Sequence, residues 1–189
     1  MMGLDKEREL PQRKSTRLKN FDYSSTGAYF VTICTRDRIQ ILSEIIKTPL
    51  AVANEVINSG VGEGLAPPEY VVKLMPYGEV AKEQLLALKN RFPSISIEDY
   101  IIMPDHIHAV VFLHKKAGGA SPSPTLDDVI CAFKSLTSRA CKQRYGIEKM
   151  FQRSFAEHII RDREDYETRR KYIYENPMRW YYKNRHTEK

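Results

Sequence analysis

Residues 95–113 read ISIEDYIIMPDHIHAVVFL, and this stretch decides the fold that the sequence predicts. It contains two runs, 95–103 and 106–113, that are rich in β-branched and other apolar side chains, as strands are. Only Pro104 and Asp105 lie between the two runs, and a linker of two turn-forming residues is typical of an antiparallel hairpin. The sequence therefore predicts a tight hairpin at the centre of a sheet.

The second strand of this hairpin begins with His106, Ile107 and His108. Successive side chains of a strand point to opposite faces, so the two imidazoles share one face and Ile107 faces a core. Two histidines at this spacing can chelate one metal ion. Two hydrogen-bonded histidines without a metal would give the same pattern, so the motif alone leaves both interpretations open.

The flanking sequence adds further strands and helices to the hairpin. Apolar residues that recur every three or four positions predict helices, whereas alternating or short apolar runs predict strands. The resulting order matches the split βαβ, or ferredoxin-like, plan of an α+β domain: an antiparallel sheet with helices on one face. An extra C-terminal helix follows and carries Tyr172. The predicted strands are 28–35, 70–74 and 155–161, and the predicted helices are 77–91, one from Thr125 as N-cap to about 144, and 163–175, which ends before Pro177.

Composition and cysteine usage exclude several classes of protein. No stretch approaches the roughly 18 consecutive apolar residues of a membrane span, and the charged N-terminus has no apolar core of a secretory signal. Cys34, Cys131 and Cys141 are widely spaced and form no CxxC pair, which argues against a disulfide framework or a cysteine zinc site. We therefore expect a cytoplasmic protein.

The basic residues are concentrated at the two ends of the 189-residue chain, whose formal net charge is +6. Residues 1–20 have a net charge of +3, residues 21–133 one of −4, and residues 134–189 one of +7. Basic segments of this kind suit a polyanion such as nucleic acid, because phosphate contacts release counterions. A solvated basic surface with no such partner has the same composition.

The last predicted helix places Tyr172 and Asn176 on one face, since positions four apart in a helix are neighbours. Tyr174 lies about 160° around the helix from Asn176 and cannot share that face. A tyrosine hydroxyl can cleave a phosphodiester through a covalent phosphotyrosine, and a divalent ion can offset the developing charge. An aromatic helix face that merely packs on the sheet would show the same residues.

Taken together, these motifs resemble a known family. Residues 103–110 (MPDHIHAV) resemble the HUH motif (His, bulky hydrophobe, His) of single-tyrosine transposases, and residues 172–177 (YIYENP) resemble the catalytic helix of the same group. Residues 17–35 and 151–161 are similar to it as well. The resemblance covers most of residues 13–180 and is greatest for the REP-associated tyrosine transposases.

The resemblance implies a role for each motif residue. Tyr172 would be the nucleophile, His106 and His108 metal ligands, and Asn176 the third ligand, which is Gln in some relatives. Asp105 stands where many relatives have Asn or Glu. The implied ion is Mg²⁺ or Mn²⁺, and two imidazoles favour Mn²⁺ on ligand softness.

The resemblance also implies an activity and a domain plan. The enzyme would cleave and rejoin single-stranded DNA beside hairpins, through a 5′-phosphotyrosine and a free 3′-OH. It would act as a monomer or a homodimer and would be associated with the nucleoid. A basic arm (1–20) would precede one catalytic domain (21–180) with a variable insert at about 46–75, and a basic tail (181–189) would follow it.

Other assignments rest on charge or position alone. Arg13, Lys14 and Arg17 in the arm, and Lys134 and Arg139 along the second helix, are candidates for DNA contacts. A non-catalytic ferredoxin-like module that binds single-stranded nucleic acid is the main alternative function, since such sheets can stack bases on aromatic side chains. A metal-dependent hydrolase of a small phosphoester is a third possibility, but it leaves Tyr172 and the basic ends without a role.

Overall fold

The computed structural model describes residues 26–47, 69–115 and 124–185. The predicted N-terminal arm, with Arg13, Lys14 and Arg17, lies outside these residues. No helix among the described residues has the length and apolar character needed to cross a membrane. The elements are strands β1 (Gly27–Cys34), β2 (Ser43–Lys47), β3 (Tyr70–Leu74), β4 (Ile95–Ile102), β5 (His106–Leu113) and β6 (Ala156–Ile160), helices α1 (Pro76–Arg91), α2 (Leu126–Tyr145) and α3 (Arg163–Arg185), and a short 3₁₀ turn at Arg36–Arg38.

The main sheet has four strands in the order β4-β5-β1-β6, and all neighbours are antiparallel. This is the strand order of the split βαβ plan, so the predicted α+β fold is confirmed. The predicted hairpin is also present: the Met103 amide donates to the His106 carbonyl at 2.8 Å across Pro104 and Asp105. The central pairing of β1 with β5 sets Thr32 opposite His108.

One face of this sheet carries the main hydrophobic core beneath α1 and α2. Tyr29, Val31 and Ile33 alternate along β1 and are fully buried, as is Ile107 of β5. Phe133 of α2 packs into the same cluster. Each such side chain contributes roughly 1.5–3 kcal/mol through burial, so this face provides most of the stability of the domain.

The opposite face is covered by α3, a position that the sequence pattern left unspecified. Phe30 and Val110 project from this face and pack with Ile173 of α3 in a smaller, separate hydrophobic cluster. Helices α1 and α2 therefore lie on the same face of the sheet, as predicted. The extra helix, α3, lies across the opposite face. The space between this helix and the sheet is only partly filled by apolar side chains.

Helix α3 continues through Pro177 to Arg185, so its predicted end at residue 175 is wrong. A proline inside a helix removes one backbone hydrogen bond and costs about 3 kcal/mol. Packing of the last turns offsets this cost, because Tyr70 of β3 lies against Tyr181 and Tyr182, at ring-centroid distances of 4.7 and 5.8 Å. The helix thus runs past residue 180, where the basic tail was predicted to begin.

The predicted insert contributes ordered structure at both of its ends. The predicted strand 70–74 is confirmed as β3, but its partner β2 was not predicted, and the two form a separate two-stranded sheet. Residues 48–68, between the two strands, lie outside the described part of the chain. The Ser43 hydroxyl donates to the Ile102 carbonyl at 2.7 Å, which joins this small sheet to the main one.

A close backbone contact fixes α1 against the segment that follows β1. A Cβ atom on Gly78 would lie 1.9 Å from the carbonyl oxygen of Leu42, so only glycine allows this approach. The same carbonyl accepts a hydrogen bond from the Met75 amide at 2.9 Å. These contacts hold the segment between β1 and β2 at the edge of the sheet face that α3 covers, which we call the open face because a cleft remains beneath the helix.

Candidate functional site

A cleft of about 700 Å³ lies between the open face of the sheet and α3. Strands β1 and β5 supply its floor, the turn after β1 supplies one rim, and α3 supplies a wall. All four residues that the sequence motifs singled out for chemistry line this cleft: His106, His108, Tyr172 and Asn176.

The two histidines meet at the start of β5. Their rings are 4.5 Å apart, and only 7% of His106 and 4% of His108 is exposed. Phe30 stacks on His108 at 5.0 Å, and the ring of Tyr172 lies 5.2 Å from the ring of His108. The tyrosine and the histidines therefore come together within a single chain.

Neighbouring side chains hold one nitrogen of each imidazole. The Thr32 hydroxyl lies 2.9 Å from Nδ1 of His108, across the β1–β5 pairing. A carboxylate oxygen of Asp105 is hydrogen-bonded to Nδ1 of His106, and the other oxygen accepts from Arg38 at 3.3 Å. These bonds fix the orientation of both rings and leave the two Nε2 atoms for other partners. Nε2 of His108 is buried and has no hydrogen-bond partner among the described residues.

The surroundings keep His108 neutral. Burial lowers the pKa of His108 to about 3, and the adjacent His106 acts in the same direction. For Asp105, burial opposes ionisation, but the hydrogen bond and charge of His106, together with Arg38, lower the pKa below its ordinary value. A neutral imidazole with an unpartnered nitrogen is the form in which histidine binds a metal.

The donor set fits a divalent ion. Asn176, which is 6% exposed, adds an amide to the two imidazoles at the same cleft. Within the described ranges no group of three or more His, Cys, Asp and Glu side chains could hold a metal. The carboxylate of Asp105 is hydrogen-bonded to His106 and Arg38. The predicted donor set therefore consists of two imidazoles and the amide of Asn176, and the amides of Gln40 and Asn184 line the same cleft. Such a set leaves coordination positions for oxygen atoms of a substrate.

Tyr172 is accessible from the cleft, with 37% of its surface exposed. Its ring packs edge-on against Phe30 at 6.0 Å, and the guanidinium of Arg179 lies 6.0 Å from its centroid. Tyr174, two residues further along the helix, lines a different pocket beside Tyr70. The predicted separation of Tyr174 from the Asn176 face is therefore confirmed.

The predicted contacts on the second helix are not at this cleft. Lys134 and Arg139 belong to α2, which packs on the opposite face of the sheet. The Lys134 ammonium donates to the Arg153 carbonyl at 2.8 Å, and Arg139 is exposed. These two residues therefore do not contact anything bound between His108 and Tyr172.

His158 of β6 lies beside the cleft rather than in it. Its Nε2 atom is 2.7 Å from Asp165 of α3, and Arg169 also bonds that carboxylate, at 3.2 Å. His158 therefore ties the first turn of α3 to the edge of the sheet.

Several lining residues were missed by the sequence analysis. Arg179, Trp180 and Lys183 follow Asn176 at helical spacing, and they would have been found had the helix been continued past Pro177. Trp180 lies 5.8 Å from His106 between ring centroids. Thr32 is a different case, because only the β1–β5 register brings its hydroxyl to His108.

No family model matches the chain, but a curated protein and solved structures are similar to it. A protein of Haemophilus influenzae, described only as uncharacterized, is 25% identical over 183 residues, which cover 89% of each chain. The structure of a REP-associated tyrosine transposase bound to a REP hairpin superposes with a TM-score of 0.51 at 18% identity, over 90% of this chain and 74% of the other. The chain therefore has the fold of that transposase, as the resemblance in the sequence implied.

Proposed function

We propose that this chain is a metal-dependent, single-tyrosine transposase-like enzyme that cleaves and rejoins single-stranded DNA beside hairpins. The proposal rests on the contact between the rings of Tyr172 and His108, whose buried Nε2 has no hydrogen-bond partner among the described residues. Structural likeness to a transposase solved with a DNA hairpin supports the same chemistry.

The tyrosine would act as the nucleophile in a transesterification. The Tyr172 oxygen forms a bond to phosphorus while the bond from phosphorus to the 3′ oxygen breaks. The phenolic proton passes to solvent, and the leaving 3′ oxygen takes up a proton to become a hydroxyl. The product is a 5′-phosphotyrosine that retains the energy of the original ester, so a 3′-OH can attack it and rejoin the strand.

His106, His108 and Asn176 would hold the ion, which is Mg²⁺ or Mn²⁺ by the family resemblance. A divalent ion bound there would polarise a phosphoryl oxygen and stabilise the charge that develops on it. Thr32 and Asp105 position the two imidazoles for this task, in the manner of outer-shell partners at metal sites. Mn²⁺ is the better match for two imidazole nitrogens and one amide oxygen.

Cations of the cleft would bind the DNA backbone around the reacting phosphate. Arg38, Arg179 and Lys183 line the same cavity as Tyr172. Arg179 already pairs with Glu175 at 2.7 Å, which aligns its guanidinium beside the tyrosine ring. Positive groups at this position offset the charge of the phosphodiester as it approaches the tyrosine.

Denaturing electrophoresis tests the proposal directly. The protein is incubated with Mn²⁺ and a labelled single-stranded oligonucleotide that contains a hairpin, and the denaturant-resistant adduct is measured. We expect adduct from the native chain, none after addition of a chelator, and none from Tyr172→Phe.

Tyr174→Phe is the matched control, because it also removes a tyrosine hydroxyl, but from a residue that lies outside the cleft. It should form adduct at the native rate. Adduct formation by Tyr172→Phe would show that the nucleophile is misassigned. Binding of the oligonucleotide without any adduct from the native chain would favour the non-catalytic binding module instead.

A further inference from the structure

A second groove, of about 710 Å³, lies on the other side of the turn that follows β1. Among the described residues, none lines both this groove and the cleft that contains Tyr172. Its walls are formed by the Arg36–Arg38 turn, one side of α2 and the segment from 148 to 154. Its lining is rich in cations and hydroxyl groups, among them Arg36, Lys134, Arg153 and Ser138.

The charges in this groove are poorly compensated. Asp37 pairs with Arg36 at 3.3 Å, while Glu148 pairs with Lys142, which does not line the groove, at 3.1 Å. Lys134, Lys149 and Arg153 have no carboxylate within ion-pair distance in the ranges that the structure describes. Anions with several oxygen atoms would complete these interactions.

Lys134 is the most enclosed of these cations. Its ammonium donates to the carbonyl of Arg153 at 2.8 Å, which aligns it along the groove and leaves further N–H groups for a ligand. Burial lowers the pKa of Lys134, so its charge is held at a cost that a bound anion would reduce. The hydroxyls of Ser135 and Ser138, from the same helix, line the groove beside it.

The turn between the groove and the cleft directs neighbouring arginines to opposite sides. Asp37 and Arg38 both have left-handed backbone conformations, with φ of 53° and 58°, which non-glycine residues rarely adopt. The turn is held by the hydrogen bond from the Arg36 amide to the Met150 carbonyl, at 2.8 Å. As a result Arg36 lines the groove, while Arg38 lines the cleft and bonds Asp105 there. Strained turns of this kind are concentrated at functional sites.

From these observations we propose that the second groove binds the sugar–phosphate backbone of the DNA molecule whose reacting phosphodiester lies in the cleft. This inference rests on the proposed function. Arg36 and Arg38 are two residues apart, so their Cα atoms are at most about 7 Å apart, which is about the rise of two nucleotides along one strand of a duplex. The same short turn therefore borders both cavities, and a DNA strand that crosses it would meet both. Its phosphates in the groove come either from the single-stranded flank or from the duplex stem of the hairpin.

A salt titration of DNA binding tests the groove independently of catalysis. All proteins carry Tyr172→Phe and are measured with a chelator, so that no covalent step contributes. The groove variant is Lys134→Gln with Arg153→Gln. The matched control is Lys82→Gln with Lys89→Gln, which removes two exposed charges from α1 that line neither cavity. Thermal unfolding checks that the variants fold.

We expect the groove variant to bind at least tenfold more weakly near 0.15 M salt. The slope of log affinity against log salt should fall by about 1.4 for two lost single-strand contacts, or about 1.8 for two duplex contacts. The control should keep the slope of the parent. If the groove variant and the control have equal slopes and affinities, the inference is wrong. Should the groove variant unfold, Arg36→Gln with Lys149→Gln, on the exposed rim, tests the same prediction.

Two oligonucleotides identify which part of the DNA lies in the groove. A loss of affinity only for a hairpin with a single-stranded flank assigns the groove to the flank. An equal loss for a blunt hairpin assigns it to the stem, and either result supports backbone binding. If the groove variant has a reduced salt slope but the native chain forms no adduct, the proposed chemistry is wrong and the groove is supported. If the native chain forms adduct but the groove variant keeps the parent's slope, the inference about the groove is wrong and the chemistry is supported.

Discussion

The two faces of the four-stranded sheet are built from the same strands but differ in what covers them. On one face Tyr29, Val31 and Ile33 are fully buried beneath α1 and α2. On the other, Phe30 and Thr32 of the same strand lie beneath α3, next to His108. One face is closed by apolar packing, and the other retains polar groups and an open cleft. The alternation of a strand thus allows stability and chemistry to be encoded in adjacent residues.

The faces also differ in how well their polar groups are satisfied. The buried Thr137 on the helical side donates to the Phe133 carbonyl at 2.8 Å. Nε2 of His108, on the cleft side, is left without a partner among the described residues. A buried polar atom without a hydrogen bond costs about 1–3 kcal/mol. Natural proteins retain such a cost where a ligand completes the interaction.

Replacing His108 gives the largest expected effect. His108→Ala should slow formation of the phosphotyrosine adduct by about a thousandfold or more, because a bound ion supplies several kcal/mol of transition-state stabilisation. Single-turnover measurements with Mn²⁺ and a hairpin oligonucleotide provide the rate. A decrease of less than tenfold would remove His108 from the metal site.

The adjacent residue should show the opposite pattern. Ile107→Ala leaves a cavity in the main core and should lower the free energy of unfolding by about 2–5 kcal/mol. Under conditions where the variant is folded, its adduct rate should remain within a few-fold of the native rate. Denaturant unfolding of Ile107→Ala and His108→Ala measures the two free energies of unfolding. If His108→Ala is the more destabilised of the two, the assignment of stability to one face and chemistry to the other is wrong.

A more subtle change tests the orientation of the imidazole. Thr32→Val keeps the shape of the side chain but removes the hydroxyl that contacts Nδ1 of His108, so affinity for Mn²⁺ should fall about 10–100-fold. Thr137→Val makes the same replacement on the helical face and should leave metal affinity unchanged. Calorimetric titration of Mn²⁺ into each variant gives the affinities. Equal values for the two variants would argue against a positioning role for Thr32.

The smallest expected effect concerns the hydrogen bonds through which Asp165 holds α3 against the sheet. Burial opposes ionisation of Asp165, but bonds from His158, the Arg161 amide and Arg169 lower its pKa below the ordinary value. A carboxylate whose pKa is lowered on folding stabilises the fold above about pH 4 and loses that contribution as the pH falls further. Asp165→Asn should therefore cost about 1 kcal/mol at pH 7, and less below pH 4.

Chemical denaturation across this pH range measures the Asp165→Asn difference. A difference that stays constant down to pH 3 would show that the carboxylate charge is not the source of the stabilisation. Because α3 carries Tyr172, the same variant should also show a lower adduct rate at pH 7, and this readout separates loss of docking from a general loss of stability.

Local sequence signals were sufficient for the elements of the core. The hairpin around Pro104 and Asp105 was predicted because turn residues separate two apolar runs, and the structure closes it as expected. Thr125 was predicted to cap α2, and it does so with Asp128 in a reciprocal capping box. In each case the signal lies within a few residues of the feature that it specifies.

Features that depend on distant partners could not be obtained in this way. The continuation of α3 beyond Pro177 depends on Tyr70, about a hundred residues earlier in the chain. The second groove depends on the segment around Arg153 meeting a left-handed turn at Asp37 and Arg38. Neither contact has a periodic or local signature, because the stabilising energy comes from tertiary packing.

The sequence by itself determined the strand that carries both histidines, their common face and the helical pairing of Tyr172 with Asn176, since strand and helix periodicities are local properties. Only the tertiary structure decided that α3 lies on the open face, so that the tyrosine reaches the histidines of its own chain. It also decided which side chains hold the imidazoles and where the second cationic groove lies. These outcomes follow from the pairing of strands and the packing of a helix across a sheet, which involve residues far apart in sequence.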